Sequence, residues 1–384
     1  MVYIYHIFFT TMEKKTKRIK ILFTIPNFDT AGSGKALLKI AQSLNKNLFE
    51  AEIMCMHNKG AFFEVVKKSG LPIHIYNYHI AIKPYLKGLR ECWKLSRVLK
   101  KINPDIIHSF HYSSDYSESI AAKMAGIKWI YTKKNMHWGG SSKNSWKLRS
   151  FLASHIILLN SDMKKMFFPK SNKVSVISRS VDIKEFDKRP KSKKLLNQLE
   201  IKEDTRVLIT VSNLVPLKGV DILIKAFEKS KLNNGLWKLI IVGDNKTSYG
   251  KELQSLVKEL FIEEKVIFTG KQLNVNEYLN LGELFIFPTI NRGEGFGLAL
   301  MEAMSSGLCA YGSDLPGIRD QLYKYPDYLF KPNDINVLVE LLNEYSIKEI
   351  SEIEKKQKEF YSFARTNFSL NIEVEKTQNV YISL

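Results

Sequence analysis

Cysteine is scarce. Only Cys55, Cys92 and Cys309 occur in 384 residues, scattered and without the paired spacing of a metal knuckle. An odd, low count excludes a disulfide framework and points to a reducing compartment. No segment approaches the ~20 apolar residues that a membrane-spanning helix needs. Met1–Thr11 is apolar but too short, and the basic cluster Lys14–Lys20 follows it, whereas a signal peptide places its positive charge first. Met12 is a second candidate start. The eight histidines are dispersed and no Asp-x-Asp pair stands near a strand end, so no metal constellation is visible. Acid is missing from one half only. Net charge is +19; residues 1–183 hold 30 Lys and Arg against 11 Asp and Glu, and the remaining 28 of each cancel. A lysine-rich composition alone would not spare one half its acids.

What is present is an alternation of apolar strands and amphipathic helices. Strands are expected at Arg18–Pro26, Ala51–His57, Ile73–Ile75, Asp105–Phe110, Trp129–Thr132 and His155–Asn160, with helices at Lys35–Leu44, Phe62–Ser69, Lys87–Lys101 and Ser119–Ala125. Lys184–Lys194, rich in Lys, Arg and Pro, reads as a linker or exposed segment. A second series then runs through strands Val207–Val211, Trp237–Val242, Val266–Thr269, Leu284–Pro288 and Ala310–Ser313, with helices at Val220–Ser230, Gly250–Leu260 and Val275–Leu281. This rhythm predicts α/β architecture with parallel, doubly wound sheets, and the length suits two such domains. Ligands of such sheets lie at the carboxyl ends of the strands.

The most informative segment is Gly293-Glu294-Gly295-Phe296-Gly297-Leu298-Ala299-Leu300-Met301-Glu302-Ala303-Met304, between the strand Leu284–Pro288 and a helix closed by Gly307. The turn Gly295–Leu298 presents unpaired backbone N–H groups at a helix start, which suits phosphate, while carboxylates beside it can accept hydrogen bonds from sugar hydroxyls. An ordinary helix with acids in its first turn is the plain alternative. The Glu-x7-Glu spacing of Glu294 and Glu302 resembles the donor-site signature of family 4, group 1 glycosyltransferases. The resemblance implies a GT-B fold: two Rossmann-like domains facing across a cleft, here residues 1–183 and 184–367, with a last helix, 368–384, packing back on the first. It implies a retaining transferase that moves a sugar from a nucleotide-sugar, a UDP-sugar by preference, to a glycan or lipid-linked acceptor. No cofactor or metal is expected. A cell-envelope polysaccharide is the expected product, and the cytoplasm, or the inner face of the plasma membrane, the expected place. A nucleotide-sugar epimerase or hydrolase of the same fold, or a non-catalytic basic binding protein, stays open.

The same resemblance assigns roles. Glu302 would bind the ribose, Glu294 the donor sugar, and the backbone of Gly295, Phe296, Gly297 and Leu298 the sugar and phosphate. Val211–Asp221 is similar to the family's G-R-L-x-x-x-K-G loop, in which Arg and Lys neutralise the departing diphosphate; fixed cations there stabilise charge as it forms. Lys218 matches, but Asn213 stands where Arg is usual and brings no charge. Either catalysis is weakened or another cation substitutes. Gly243, Gly270 and Lys271, at two strand ends, would bracket the nucleotide. In the first half, Gly32 belongs to a Gly32-Ser33-Gly34 loop that lets backbone approach a phosphate. It is not a Walker A loop, since Ala36 replaces the required Ser or Thr. His111, one place beyond the family's usual histidine, is a catalytic candidate only if its strand has already ended. Val174–Asp182 resembles V-I-P-N-G-V-D with Arg179 and Ser180 in place of Asn and Gly, and marks the crossover between domains.

Two stretches mix basic and aromatic residues: Lys83–Lys101, with Tyr85 and Trp93, and Lys133–Phe151, with Trp138, Trp146 and Arg149. They could meet an anionic membrane surface, where each cation contributes about 1 kcal/mol. Ordinary packing on the sheet is the simpler reading for the first; for the second the two readings stand level. No nucleic-acid-binding module is recognisable.

Overall fold

The computed structural model describes residues 17–29, 31–60, 62–136, 142–291 and 295–384. The apolar N-terminal stretch and Trp138 lie outside them.

Two all-parallel sheets carry the chain. The first contains β1 (Ile19–Ile25), β2 (Phe49–Cys55), β3 (Ile73–Ile75), β4 (Ile106–Ser109), β5 (Lys128–Lys133), β6 (His155–Leu158) and β7 (Val174–Val176), in the order β3-β2-β1-β4-β5-β6-β7. The second contains β8 (Arg206–Val211), β9 (Trp237–Val242), β10 (Val266–Gly270), β11 (Leu284–Phe287), β12 (Cys309–Ser313) and β13 (Leu329–Phe330), in the order β10-β9-β8-β11-β12-β13. Helices cover both faces, so the strands are buried on both sides and read as apolar runs rather than alternating ones: Leu284-Phe285-Ile286-Phe287 is almost wholly inaccessible. In each sheet the order reverses once, between β1 and β4 and between β8 and β11, and a crevice opens at that switch point.

The final helix, Leu370–Ser383, returns to the first sheet. Val374, Val380 and Tyr381 join the core that contains Ile21, Phe23 and Phe49. The Tyr381 hydroxyl bonds His108 Nδ1 at 2.6 Å, and His108 Nε2 meets Thr132 Oγ1 at 2.8 Å. Burial holds His108 neutral by pushing its pKa well down, so this histidine of β4 fastens the last helix to the sheet.

The periodicity reading differs from the structure in five elements. Helix Ala31–Ser43 begins before Lys35, which puts Gly32 in its first turn rather than in a loop. Helices Lys143–Leu152 and Ser161–Phe167 and strand β7 were not expected, and Lys193–Gln198 is helical within the expected linker. Two of these carry a local start signal. Asn160 Oδ1 accepts the Met163 N–H at 2.8 Å and Ser192 Oγ the Leu195 N–H at 3.3 Å, which are side-chain caps on helices too short to show a period.

Candidate active site

A cavity of about 800 Å³ lies between the carboxyl ends of the two sheets. Residues beyond the ends of β8, β9 and β10 line one side: Asn213, Lys218, Gly243, Asp244 and Lys271, with Phe296, Gly297 and Leu298 from the segment after β11. The other side is Gly32, Ser33 and Ala36 after β1, Lys134 after β5, Leu159 after β6 and Arg179 after β7. Every one of these positions follows a strand, as the switch-point rule requires.

The second-domain wall is made largely of backbone. Gly297 precedes helix Leu298–Ser305 in the left-handed conformation (φ 80°), and Gly297, Leu298 and Ala299 at the helix start line the cavity. Gln321 holds this turn from behind: its Nε2 donates to the carbonyl oxygens of Phe296 and of Gly297, the latter at 3.2 Å. Lys218 ends a short 3₁₀ turn, Pro216–Lys218, with its Nζ 5.1 Å from the Phe287 ring centre. A Cβ on Gly243 would collide with the Ser212 carbonyl, so only glycine lets these two loops lie side by side.

The first-domain wall is made of side chains. Arg179 is buried; its Nη1 donates to Glu373 Oε1 at 2.7 Å, and its guanidinium sits 5.3 Å from the Phe110 ring centre. Lys134 Nζ donates to the Phe110 carbonyl, and burial beside Arg179 and Arg149 pushes its pKa well below the usual lysine range. Asp244 is the one carboxylate lining the cavity among the described residues, against Lys134, Arg179, Lys218 and Lys271. The cavity is built for an anion.

The walls also touch. Asn160 Nδ2 donates to the Gly295 carbonyl at 2.7 Å, Ser161 Oγ to Asp320 at 2.6 Å, and Arg319 pairs with Asp162 at 2.8 Å. Gly295 therefore belongs to the seam rather than to the cavity surface; a Cβ there would strike the Lys134 carbonyl.

Eight expected donor-site residues line the cavity: Gly32, Asn213, Lys218, Gly243, Lys271, Phe296, Gly297 and Leu298. Glu294 lies outside the described residues. Gly270 does not line the cavity; it sits at a β-bulge with φ 73°, passing the chain on to Lys271. Glu302 is half-buried one turn deeper and is also not among the lining residues. Burial and Glu185 raise its pKa to about 7, against the opposing pull of Lys35 and Lys39. His111 is not part of the wall either. β4 ends at Ser109, but Phe110 points into the core, and His111, one place on, packs instead against Tyr78 and His79. Its Nδ1 accepts the Ser113 N–H at 3.2 Å, and burial beside Arg149 lowers its pKa to about 4, so the ring is neutral.

Three further findings depart from the sequence reading. Arg179, taken as a marker of the crossover, lines the cavity. Lys134 joins it; the strand-end rule applied to the expected strand Trp129–Thr132 points to Lys134, whereas β7 has only three residues and was not expected. The dispersed histidines do meet acid: donor atoms of His79, His111 and Asp115 lie within 4.8 Å of one another. Those atoms have protein partners, since His79 Nδ1 contacts Asp115 at 3.2 Å and His111 Nδ1 is taken by Ser113.

Among the described residues of Lys133–Phe151, Lys133, Trp146 and Arg149 are buried, whereas Lys143, Lys147, Leu148 and Phe151 are exposed. Arg149 is inserted 4.9 and 4.8 Å from the Trp129 and Tyr131 rings and bonds the carbonyls of Asp115 and His111. Near it, buried Glu118 accepts from Thr24 and Ser109. In helix Tyr85–Ile102 the inner face, Cys92, Leu95 and Leu99, is buried, yet Leu86 and Trp93 are 88% and 56% exposed among Lys87, Arg90, Lys94 and Arg97.

Comparison with known proteins agrees with this architecture. Residues 191–366 match the family described as glycosyl transferases group 1, and residues 30–185 match glycosyltransferase family 4. An N-acetyl-alpha-D-glucosaminyl L-malate synthase of Bacillus anthracis is 35% identical over 150 residues, 39% of this chain and 38% of that protein. A UDP-Gal:alpha-D-GlcNAc-diphosphoundecaprenol alpha-1,3-galactosyltransferase of Escherichia coli is 24% identical over 325 residues, 78% of this chain and 80% of that protein. Among solved structures, Anabaena HepE in complex with UDP and glucose superposes with a TM-score of 0.80 at 20% identity, covering 96% of this chain and all of that one. With two parallel-sheet domains meeting over a cavity lined by lysine and arginine and both halves matched, the chain belongs to the group 1, family 4 glycosyltransferases of the GT-B fold.

Proposed function

We propose that this glycosyltransferase takes a nucleotide-sugar, a UDP-sugar by preference, in the cavity between its sheets. It transfers the sugar with retention of configuration to a lipid-linked or glycan acceptor of the cell envelope. The observation that carries this reading is the cavity itself: a glycine-opened helix start and Lys218 on one wall, Arg179 and Lys134 on the other, and a single lining carboxylate among the described residues. Such a site suits a diphosphate that gains charge as it departs, because fixed donors and cations stabilise it without reorganising. The cations take over the charge neutralisation that a metal would otherwise supply, so the reaction as proposed needs none. UDP as the donor nucleotide is supported by the names of the Escherichia coli and Anabaena proteins, and a lipid diphosphate as acceptor by the former. A thermal-shift panel of UDP-, GDP- and ADP-sugars tests the donor, since a ligand at 100 times its Kd adds about 2.7 kcal/mol to stability. NMR of the product anomer tests retention. If no nucleotide-sugar stabilises the protein, the reading falls.

The acceptor arrives at the membrane in this reading. No helix among the described residues is long and apolar enough to cross a bilayer. Helix Tyr85–Ile102 instead offers Leu86, Leu89 and Trp93 at helical spacing amid cations, an interfacial face suited to anionic lipid.

A further inference from the structure

We propose that Arg179 supplies, from the first-domain wall, the positive charge that the site lacks at Asn213, and that with Lys218 it grips the diphosphate of the donor. This rests on the nucleotide-sugar reading above. In the transfer, the bond between the anomeric carbon and the phosphate oxygen breaks with its electron pair going to that oxygen. The acceptor oxygen bonds the same carbon, and its proton passes to the departing diphosphate. Negative charge thus grows on phosphate, and a neutral amide at 213 offers a hydrogen bond but no compensating charge.

Arg179 lines the same cavity as Asn213 and Lys218, from the opposite side. Its side chain is fixed before any ligand arrives. Glu373 of the last helix takes Nη1 at 2.7 Å, and its other oxygen is spent on the Ser180 N–H and Oγ at 2.9 and 2.6 Å. Phe110 supports the guanidinium plane. Only one of its three nitrogens has a hydrogen-bond partner among the described residues. A guanidinium held by one edge presents the rest of its planar fork, the geometry that matches phosphate oxygens. Lys134, 45 positions earlier in the chain, adds an amine donor to that wall. Relative to the pattern that the two loops resemble, Arg and Asn have exchanged places: the loop that usually carries Arg holds Asn213, and the loop that usually carries Asn holds Arg179. The last helix thereby gains a task beyond packing, since its Glu373 positions the cation.

The test compares affinities for UDP and UMP by calorimetry, or for GDP or ADP and its monophosphate if the donor panel selects that base. Arg179→Gln alone strands Glu373 as a buried carboxylate, so R179Q/E373Q, which removes both charges, is measured beside it. We expect the preference for diphosphate over monophosphate to fall about tenfold in both variants. Adding N213R to R179Q/E373Q should restore most of it. An unchanged preference overturns the inference while leaving the donor reading intact. So does an equal loss of both ligands that N213R does not repair, which would make Arg179 structural. If the native protein binds no nucleoside diphosphate, the donor reading falls and takes this inference with it.

Discussion

The two walls of the cavity are built by different means. The second-domain wall is largely backbone: Gly297 in a left-handed turn, Gly243 lying against the Ser212 carbonyl, and a helix start that lines the cavity, with Lys218 and Lys271 beside them. The first-domain wall is side chain: Arg179 held by Glu373, which is 194 residues away in the chain, and Lys134 bonded to the Phe110 carbonyl. Backbone donors need only a correct local turn and are placed within a dozen residues of sequence. Side-chain cations in a buried site need partners to hold them and to offset their desolvation, and those partners come from wherever the fold brings them. Both walls depart from the pattern that the chain resembles, the second at Asn213 and the first at Arg179, but only on the first is the cation held by a partner far away in the chain.

Removing a cation from the second-domain wall is the largest perturbation. Lys218→Ala should lower kcat about 10²- to 10³-fold, the scale of losing one preorganised donor, with little change in Tm; a near-native kcat would mean that the first wall alone neutralises the leaving group. On the outer side of the first domain, the double change Leu86→Ser and Trp93→Ser should weaken sedimentation with anionic vesicles about tenfold or more, by removing apolar surface from the interface. Binding that is unaltered would return this helix to a solvated role. Gly295→Ala tests the seam where the walls touch. Its Cβ must displace the Lys134 carbonyl, and a loss of about 1–3 kcal/mol in denaturant unfolding is expected.

The smallest effect concerns Glu302, also near the seam. Its pKa is raised from 4.5 to about 7 in the folded protein, chiefly by burial. Between those values the native state binds more protons than the unfolded chain, so stability should fall as pH rises from about 4.5 to about 7. Partial hydration of the side chain limits the effect to about 1 kcal/mol. Glu302→Gln should flatten that decline in urea melts. A variant that keeps the native slope would show that this carboxyl is not the titrating group.

Much of the architecture was legible because parallel strands buried on both faces read as apolar runs, and Val207–Val211, Trp237–Val242 and Leu284–Phe287 needed nothing more. Short amphipathic helices such as Ser161–Phe167 were not, since seven residues hold too few turns to display a period. Gly32, Gly243, Gly297 and Lys218 line the cavity and were legible as candidates because their spacing is local, whereas Gly270 and Gly295 do not line it. His111 was misplaced for want of knowing which side of the strand end it would take; Phe110 claimed the core and His111 was left to pack on Tyr78 and His79. Arg179 was noticed but assigned only to the crossover, because nothing in its own loop reveals Glu373.

By itself, the sequence determined the fold class, the two-sheet plan and the glycine turn at the start of helix Leu298–Ser305, because periodicity and glycine spacing act through neighbours along the chain. Only the tertiary structure decided which cations reach the cavity, which histidine fastens the last helix, and which apolar side chains of a basic helix remain exposed. Those outcomes depend on contacts between residues that are close in space and far apart in sequence, and no local pattern encodes them.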